Sequence, residues 1–267
     1  MDIFQSIILG IIQGITEFFP ISSTAHLALI PWFFSWKDPG LSYNVALHFG
    51  SLFAILLYFR NTWKLVISQF MEGALKRNFN NLEYGRVGLF IIIATIPAVI
   101  SGLLFEPYAA GILRHPLIIA GSLLMFGLLL LYSNKVSKEN RSINEMTIKD
   151  GLIIGIAQAF AIIPGASRSG VTITGALLRN FKTDEAAKFS FLMAAPLIVG
   201  ATVYESRHMS AESVIQTPFL VGILVSAVFA FLAIKYLLRF VRFRGYKHFV
   251  YYRIVLAIVI TLIHFVV

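Results

Sequence analysis

Six apolar runs, each long enough to cross a bilayer, alternate with charged stretches and leave this chain little choice of fold. They are Tyr43–Phe59, Val87–Phe105, Pro116–Ser133, Ala187–Tyr204, Phe219–Leu238 and Phe249–Val267. A helix needs about 20 such residues to span the hydrocarbon, and only helices or closed barrels satisfy their backbone there. The residues are 58% hydrophobic and 13% charged, and the mean hydropathy is +0.80. A soluble domain of this length needs more polar surface. The class expected is an all-α polytopic membrane protein, with residues 1–267 forming a single integral membrane domain. The opening MDIFQSIILG has no basic segment ahead of its apolar run and is expected to be retained. The absence of cysteine excludes disulfide and thiol chemistry. The net charge of +9 is assigned to basic loops facing anionic membrane lipid, not to nucleic acid.

Two further segments are apolar but broken. Residues 3–18 predict a helix stopped by Pro20, followed by a shorter one from Thr24 to Phe34. At 1.5 Å per residue these are roughly 24 and 17 Å long, short of a hydrocarbon core of about 30 Å. Gly151–Ile163 and Ser169–Leu178 repeat the layout around Pro164. Each pair is predicted to be re-entrant, leaving and returning on one face, giving six transmembrane helices plus two re-entrant helix pairs. That topology puts sixteen Lys and Arg, between Arg60 and Lys247, on one face, and only Lys37, Arg114 and Arg207 on the other. The positive-inside rule makes the first face cytoplasmic and both termini external. The halves, about 1–133 and 147–267, then form an inverted repeat with a site at their interface. Local similarity agrees: G-I-I-Q at Gly10–Gln13 parallels G-I-A-Q at Gly155–Gln158, and Pro20 with Ser23 parallels Pro164 with Ser167.

The breaks carry the polar chemistry. The first reads Q-G-I-T-E-F-F-P-I-S-S-T-A-H from Gln13 to His26. A carboxylate inside a membrane costs about 2.5–3.5 kcal/mol on insertion scales, so Glu17 marks a functional site. A broken helix exposes the N–H groups of the helix that follows, and these with the dipole bind anions. Ser22 and Ser23 precede one such helix; Ser167 and Ser169 flank Arg168 at the other. Arginine between two helix N-termini suits phosphate or diphosphate. His26, three residues after Ser23, can share its helical face, the minimum for an activated nucleophile. Glu17 can orient that imidazole, bind a divalent cation, or act as acid or base. Plainer roles compete. The serines can be ordinary N-caps, His26 a packing residue, and Arg168 a counter-ion to Glu17. Gly10, Gly14, Gly151 and Gly155 are read as close helix packing, and His48, with Gly50 and Ser51 nearby, as packing within its span, with a supporting role beside the site as the outside alternative. His115, His208, His248 and His264 are read as interfacial.

At these residues the chain resembles the undecaprenyl-diphosphate phosphatase family of the bacitracin-resistance type. Three motifs carry the resemblance: (E/Q)-x-x-x-E at Gln13–Glu17, P-x-S-S-x-x-H at Pro20–His26, and P-G-x-S-R-S-G-x-T at Pro164–Thr172. The resemblance implies a bacterial plasma-membrane hydrolase that removes the terminal phosphate of a polyprenyl diphosphate, recycling the lipid carrier for peptidoglycan synthesis. It implies Glu17, Ser23, His26 and Arg168 as catalytic residues, with Ser22, Ser167, Ser169 and Thr172 as phosphate ligands. It also implies a divalent cation, Mg or Ca, at Glu17 with Gln13 in support, and a site opening to the outer side. Ser23 and His26 both remain candidates for the attacking group. A homodimer is left open as an assembly. The rival reading is a transporter or flippase of a lipid-linked phosphate, since inverted repeats with midplane half-helices are also a carrier layout.

Overall fold

The structure, a computed structural model, describes residues 2–208 and 216–266; Val267 of the sixth expected run and the His208 side chain lie outside that description. All regular structure among the described residues is helical apart from an isolated bridge between Arg141 and Phe181. Six helices are long and apolar enough to cross a membrane: α3 (Leu41–Tyr58), α5 (Glu83–Ala110), α6 (Pro116–Val136), α9 (Thr183–Glu205), α10 (Thr217–Arg244) and α11 (Lys247–Val266). Their outward faces carry exposed apolar side chains such as Leu103, Leu224, Val228, Ile258 and Leu262, as a protein solvated by lipid requires. The chain is a multi-pass membrane protein.

Several boundaries differ from expectation; Thr217–Arg244, for example, runs six residues past the expected end at Leu238. Arg60–Lys76 forms one continuous helix, α4, although the polar composition of Asn61–Arg86 suggests a loop with only an amphipathic piece around Trp63–Leu75. The helix α5 runs on through Pro107 to Ala110, taking up the first half of the Glu106–His115 segment, which the sequence suggests as a short turn between the second and third spans. The first break begins two residues early, because α1 (Ile3–Thr16) ends at Thr16 and puts Glu17 at its C-cap.

The two broken pairs are α1 with α2 (Ser23–Phe33) and α7 (Ile148–Ala159) with α8 (Arg168–Leu178). Their packing is reciprocal: α1 lies along α10 of the second half, and α7 lies along α5 of the first. Glycine sets both approaches. A Cβ on Gly14 would stand 2.6 Å from the Ser226 carbonyl, and one on Gly155 would stand 2.8 Å from that of Ala94. The helices α3 and α9 meet in the middle, and α6 packs on α11. On the charged side, fully buried Asp150 holds Arg141 at 2.7 Å and Arg179 at 2.6 Å, fastening the 137–147 connection to the end of α8.

Candidate active site

Each break turns on a serine forced into an unusual backbone conformation. Ser22 has φ 75° and ψ 96°; Ser167 has φ 71° and ψ 111°. Positive φ is rare for a residue with a Cβ, and such strain costs on the order of 1–3 kcal/mol, held in place by surrounding contacts. Here the contacts are caps. Ser22 Oγ accepts the Ala25 N–H at 3.3 Å and Ser167 Oγ accepts the Gly170 N–H at 3.2 Å. The two breaks also touch directly: Gly165 donates its N–H to Ser22 Oγ at 3.1 Å, and Ser169 Oγ donates to the Phe19 carbonyl at 3.2 Å. The first two backbone N–H groups of α2 and of α8 have no hydrogen-bond partner among the described residues. Two anion-seeking helix ends are thus held side by side.

Glu17, only 6% exposed, is the hub between them. Its Oε1 accepts from Arg168 Nη2 at 2.6 Å. Its Oε2 accepts from Ser23 Oγ at 2.8 Å and Gln13 Nε2 at 3.0 Å, with His48 Nε2 at 3.2 Å. The other nitrogen of His48 donates to the Asn44 carbonyl at 2.7 Å, so this ring faces acceptors on both sides. Arg168 uses Nη1 on the Ser190 carbonyl at 2.7 Å, and Thr172 Oγ1 is 2.7 Å from Ser190 Oγ.

The structure brings Gln13, Glu17, Ser23 and Arg168 into one hydrogen-bonded group. His26 stands apart from it. Its Nδ1 donates to the Ser22 carbonyl at 2.7 Å, and its Nε2 faces the Tyr252 hydroxyl at 2.7 Å. Ser23 and His26, which spacing places on one helical face, share no hydrogen bond: Ser23 reaches the carboxylate, and the imidazole beside Glu17 is that of His48. Ser169 and Thr172 spend their hydroxyls on Phe19, on the backbone of α8 and on Ser190. As phosphate ligands they would have to exchange partners; as found, they fasten the breaks.

The sequence profile described as Bacitracin resistance protein BacA matches residues 6–259. The chain belongs to this family. It is 44% identical over 260 residues to the undecaprenyl-diphosphatase of Moorella thermoacetica, covering 97% of both chains. The undecaprenyl-diphosphatase of Caldicellulosiruptor bescii is likewise 44% identical over 265 residues, 97% of both chains. That of Thermodesulfovibrio yellowstonii is 44% identical over 269 residues, 99% of this chain and 98% of the relative.

For a divalent cation of the kind the BacA resemblance implies, the donor set is small. Among the described residues no three His, Asp or Glu side chains cluster to hold a metal ion. Gln13, however, whose Nε2 donates to Glu17, leaves its buried Oε1 without a hydrogen-bond partner. One carboxylate with one amide oxygen fits a cation held mainly by substrate phosphates and water, the usual manner of Mg.

His48 and Tyr252 are the site neighbours that spacing does not reveal. His48 comes from α3 and Tyr252 from α11, far from either break in sequence. The only available signal was an ionisable side chain inside an apolar run.

Proposed function

We propose that this protein is a membrane phosphatase that hydrolyses undecaprenyl diphosphate to undecaprenyl phosphate and inorganic phosphate, with Ser23 as the attacking group. Family membership and relatives named for that diphosphatase support the reaction. The observation that carries the chemistry is the Ser23 hydroxyl donating to Glu17. A carrier needs phosphate ligands but no hydroxyl aligned on a base, so this contact favours hydrolysis over transport.

In this reading the terminal phosphate lies against the free N–H groups of α2 and α8. Arg168 offers it a planar pair of donors, and a bound diphosphate gives that guanidinium a second anion besides Glu17. Ser23 Oγ attacks phosphorus as its proton passes to Glu17, and the bond to the departing lipid phosphate breaks. Water then releases phosphate from the serine. His48 holds the Glu17 carboxylate in line with Ser23. A cation, where bound, would be held by Glu17 and Gln13 Oε1 and would neutralise charge on the diphosphate. His26, turned toward Ser22 and Tyr252, supports the backbone of the first break.

Phosphate release from a polyprenyl diphosphate by the purified protein in detergent tests this function, because no transport is measurable there. Acid quenching during turnover tests the nucleophile. An acid-stable phosphoenzyme absent in Ser23→Ala and present in His26→Ala is expected; an acid-labile adduct requiring His26 would reverse the assignment.

The halves 1–133 and 147–267 are read as an inverted repeat on the strength of the reciprocal packing of α1 on α10 and α7 on α5. The charge asymmetry supports a reading in which both termini are outside and the site opens to the outer leaflet. Reporter fusions after Arg77, Arg141 and Arg242 should be cytoplasmic and one at His115 external. A cytoplasmic signal at His115 would overturn the topology.

A further inference from the structure

Arg253 is the most anomalous side chain in the molecule. It lies within a span of mean hydropathy 2.2, is fully buried, and makes no ion pair with any described carboxylate. A cation in that position is expensive and needs a reason. Its partners are all backbone carbonyls. Nε donates to Leu123 at 3.0 Å, Nη1 to Pro20 at 3.1 Å, and Nη2 to Gly165 at 2.7 Å and Ala166 at 3.2 Å. Pro20 belongs to the first break; Gly165 and Ala166 belong to the second. One guanidinium therefore bonds to both, just upstream of the strained caps Ser22 and Ser167.

We propose that Arg253 is a positioning residue that sets the aim of the backbone donors at the phosphate site, an inference resting on the phosphatase reading above. In a trans peptide the carbonyl and the next N–H point in opposite directions. Holding the Ala166 carbonyl on Arg253 turns the Ser167 N–H away from it, and that N–H has no partner among the described residues. It joins the free N–H groups at the start of α8. The Pro20 contact holds the other break at a fixed distance across the same guanidinium, so the free N–H groups of α2 keep their relation to those of α8. Space has been left for it. A Cβ on Gly170 would stand 3.0 Å from Arg253 Nη1, and one on Gly127 would stand 3.3 Å from Arg253 Nε. Five donors on a rigid plane suit four carbonyls; an ammonium of lysine reaches fewer and cannot hold them in one plane. Donors aimed at developing charge act in the transition state more than in the ground state, so a misaimed pair lowers kcat rather than raising KM.

The test uses full-length protein in detergent with a C15 prenyl diphosphate, reading kcat, KM and thermal unfolding. Parental turnover decides the phosphatase reading separately; the variants then address Arg253. For Arg253→Lys a fall in kcat of about 10²-fold is expected with KM within a few-fold, the scale of an angstrom-sized misplacement. Gly127→Ala provides the second arm, because its added methyl has only Arg253 atoms as its nearest neighbours and leaves the charge in place. It should lower kcat by several-fold with unchanged KM in folded protein. If Arg253→Lys fails to fold, Gly127→Ala decides alone. Parental kcat in folded Gly127→Ala, or a loss carried wholly by KM in either variant, overturns the proposal.

Discussion

The two breaks share a backbone and divide the chemistry. Each has a proline, a capping serine near φ +70°, and an 11-residue helix beyond it. They differ in what surrounds the cap. In the first, Glu17 ends the preceding helix and Ser23 opens the next; in the second, a short 3-10 turn (Phe160–Ile162) fills the place of the carboxylate and Arg168 opens the helix. The bond between Glu17 and Arg168 joins the two sets. A repeated backbone thus supplies paired anion-binding ends, while divergence at one or two positions supplies a base and nucleophile on one side and a clamp on the other. Neither break holds a complete site.

The sharpest way to break that comparison is to remove the nucleophile from one side. Ser23→Ala should lower kcat by about 10⁴-fold or more, since losing an attacking group removes the reaction path it opens. His26→Ala, in the same break, should cost about 10-fold through its Ser22 contact. Rates measured on folded protein decide between them, and equal losses would return the two residues to one functional unit.

On the second break, Arg168→Lys keeps the charge and loses the planar grip. Removing one comparable donor costs about 10²–10³ in kcat, and a loss of that order is expected here. The opposing view makes Arg168 only a counter-ion to Glu17. Folded, monodisperse Arg168→Lys enzyme turning over at nearly the parental rate would support that view and remove the clamp from the mechanism.

Much of this architecture is legible in the amino-acid sequence. Apolar run lengths gave the six spans, and prolines beside serines located both breaks, because these signals are local. The pairing of side chains within the site was not. Spacing put Ser23 and His26 on one helical face, yet the imidazole bonds the Ser22 carbonyl four residues back and Ser23, at the first helical position, meets Glu17. A choice between two acceptors of similar strength depends on the turn between Phe18 and Ser22, which no periodicity encodes. His48 and Arg253 were visible as polar side chains within apolar runs. Their partners come from other helices, so their roles could be read only from packing. The extension of α5 through Pro107 shows the same limit at an element boundary.

The smallest expected effect separates the two caps themselves. Replacing either serine by glycine removes a side-chain acceptor, a change that costs only a few tenths of a kcal/mol at an N-cap. Glycine also adopts positive φ freely, releasing strain on the order of 1–3 kcal/mol. For Ser167→Gly these terms, less about 0.5–1 kcal/mol of extra backbone entropy that glycine loses on folding, leave the protein as stable as the parent or slightly more stable. Ser22 carries one further duty, because its hydroxyl accepts the Gly165 N–H from the other break. In Ser22→Gly that buried donor is stranded, at a cost of about 1–3 kcal/mol. Ser22→Gly should therefore be less stable than Ser167→Gly by about 1–3 kcal/mol, measured by unfolding both in the same detergent. The comparison cancels the cap and strain contributions the two positions have in common, leaving the bond between the breaks. Equal stabilities would mean that this bond contributes nothing, and that the contacts of Arg253 and Ser169 suffice to hold the breaks together.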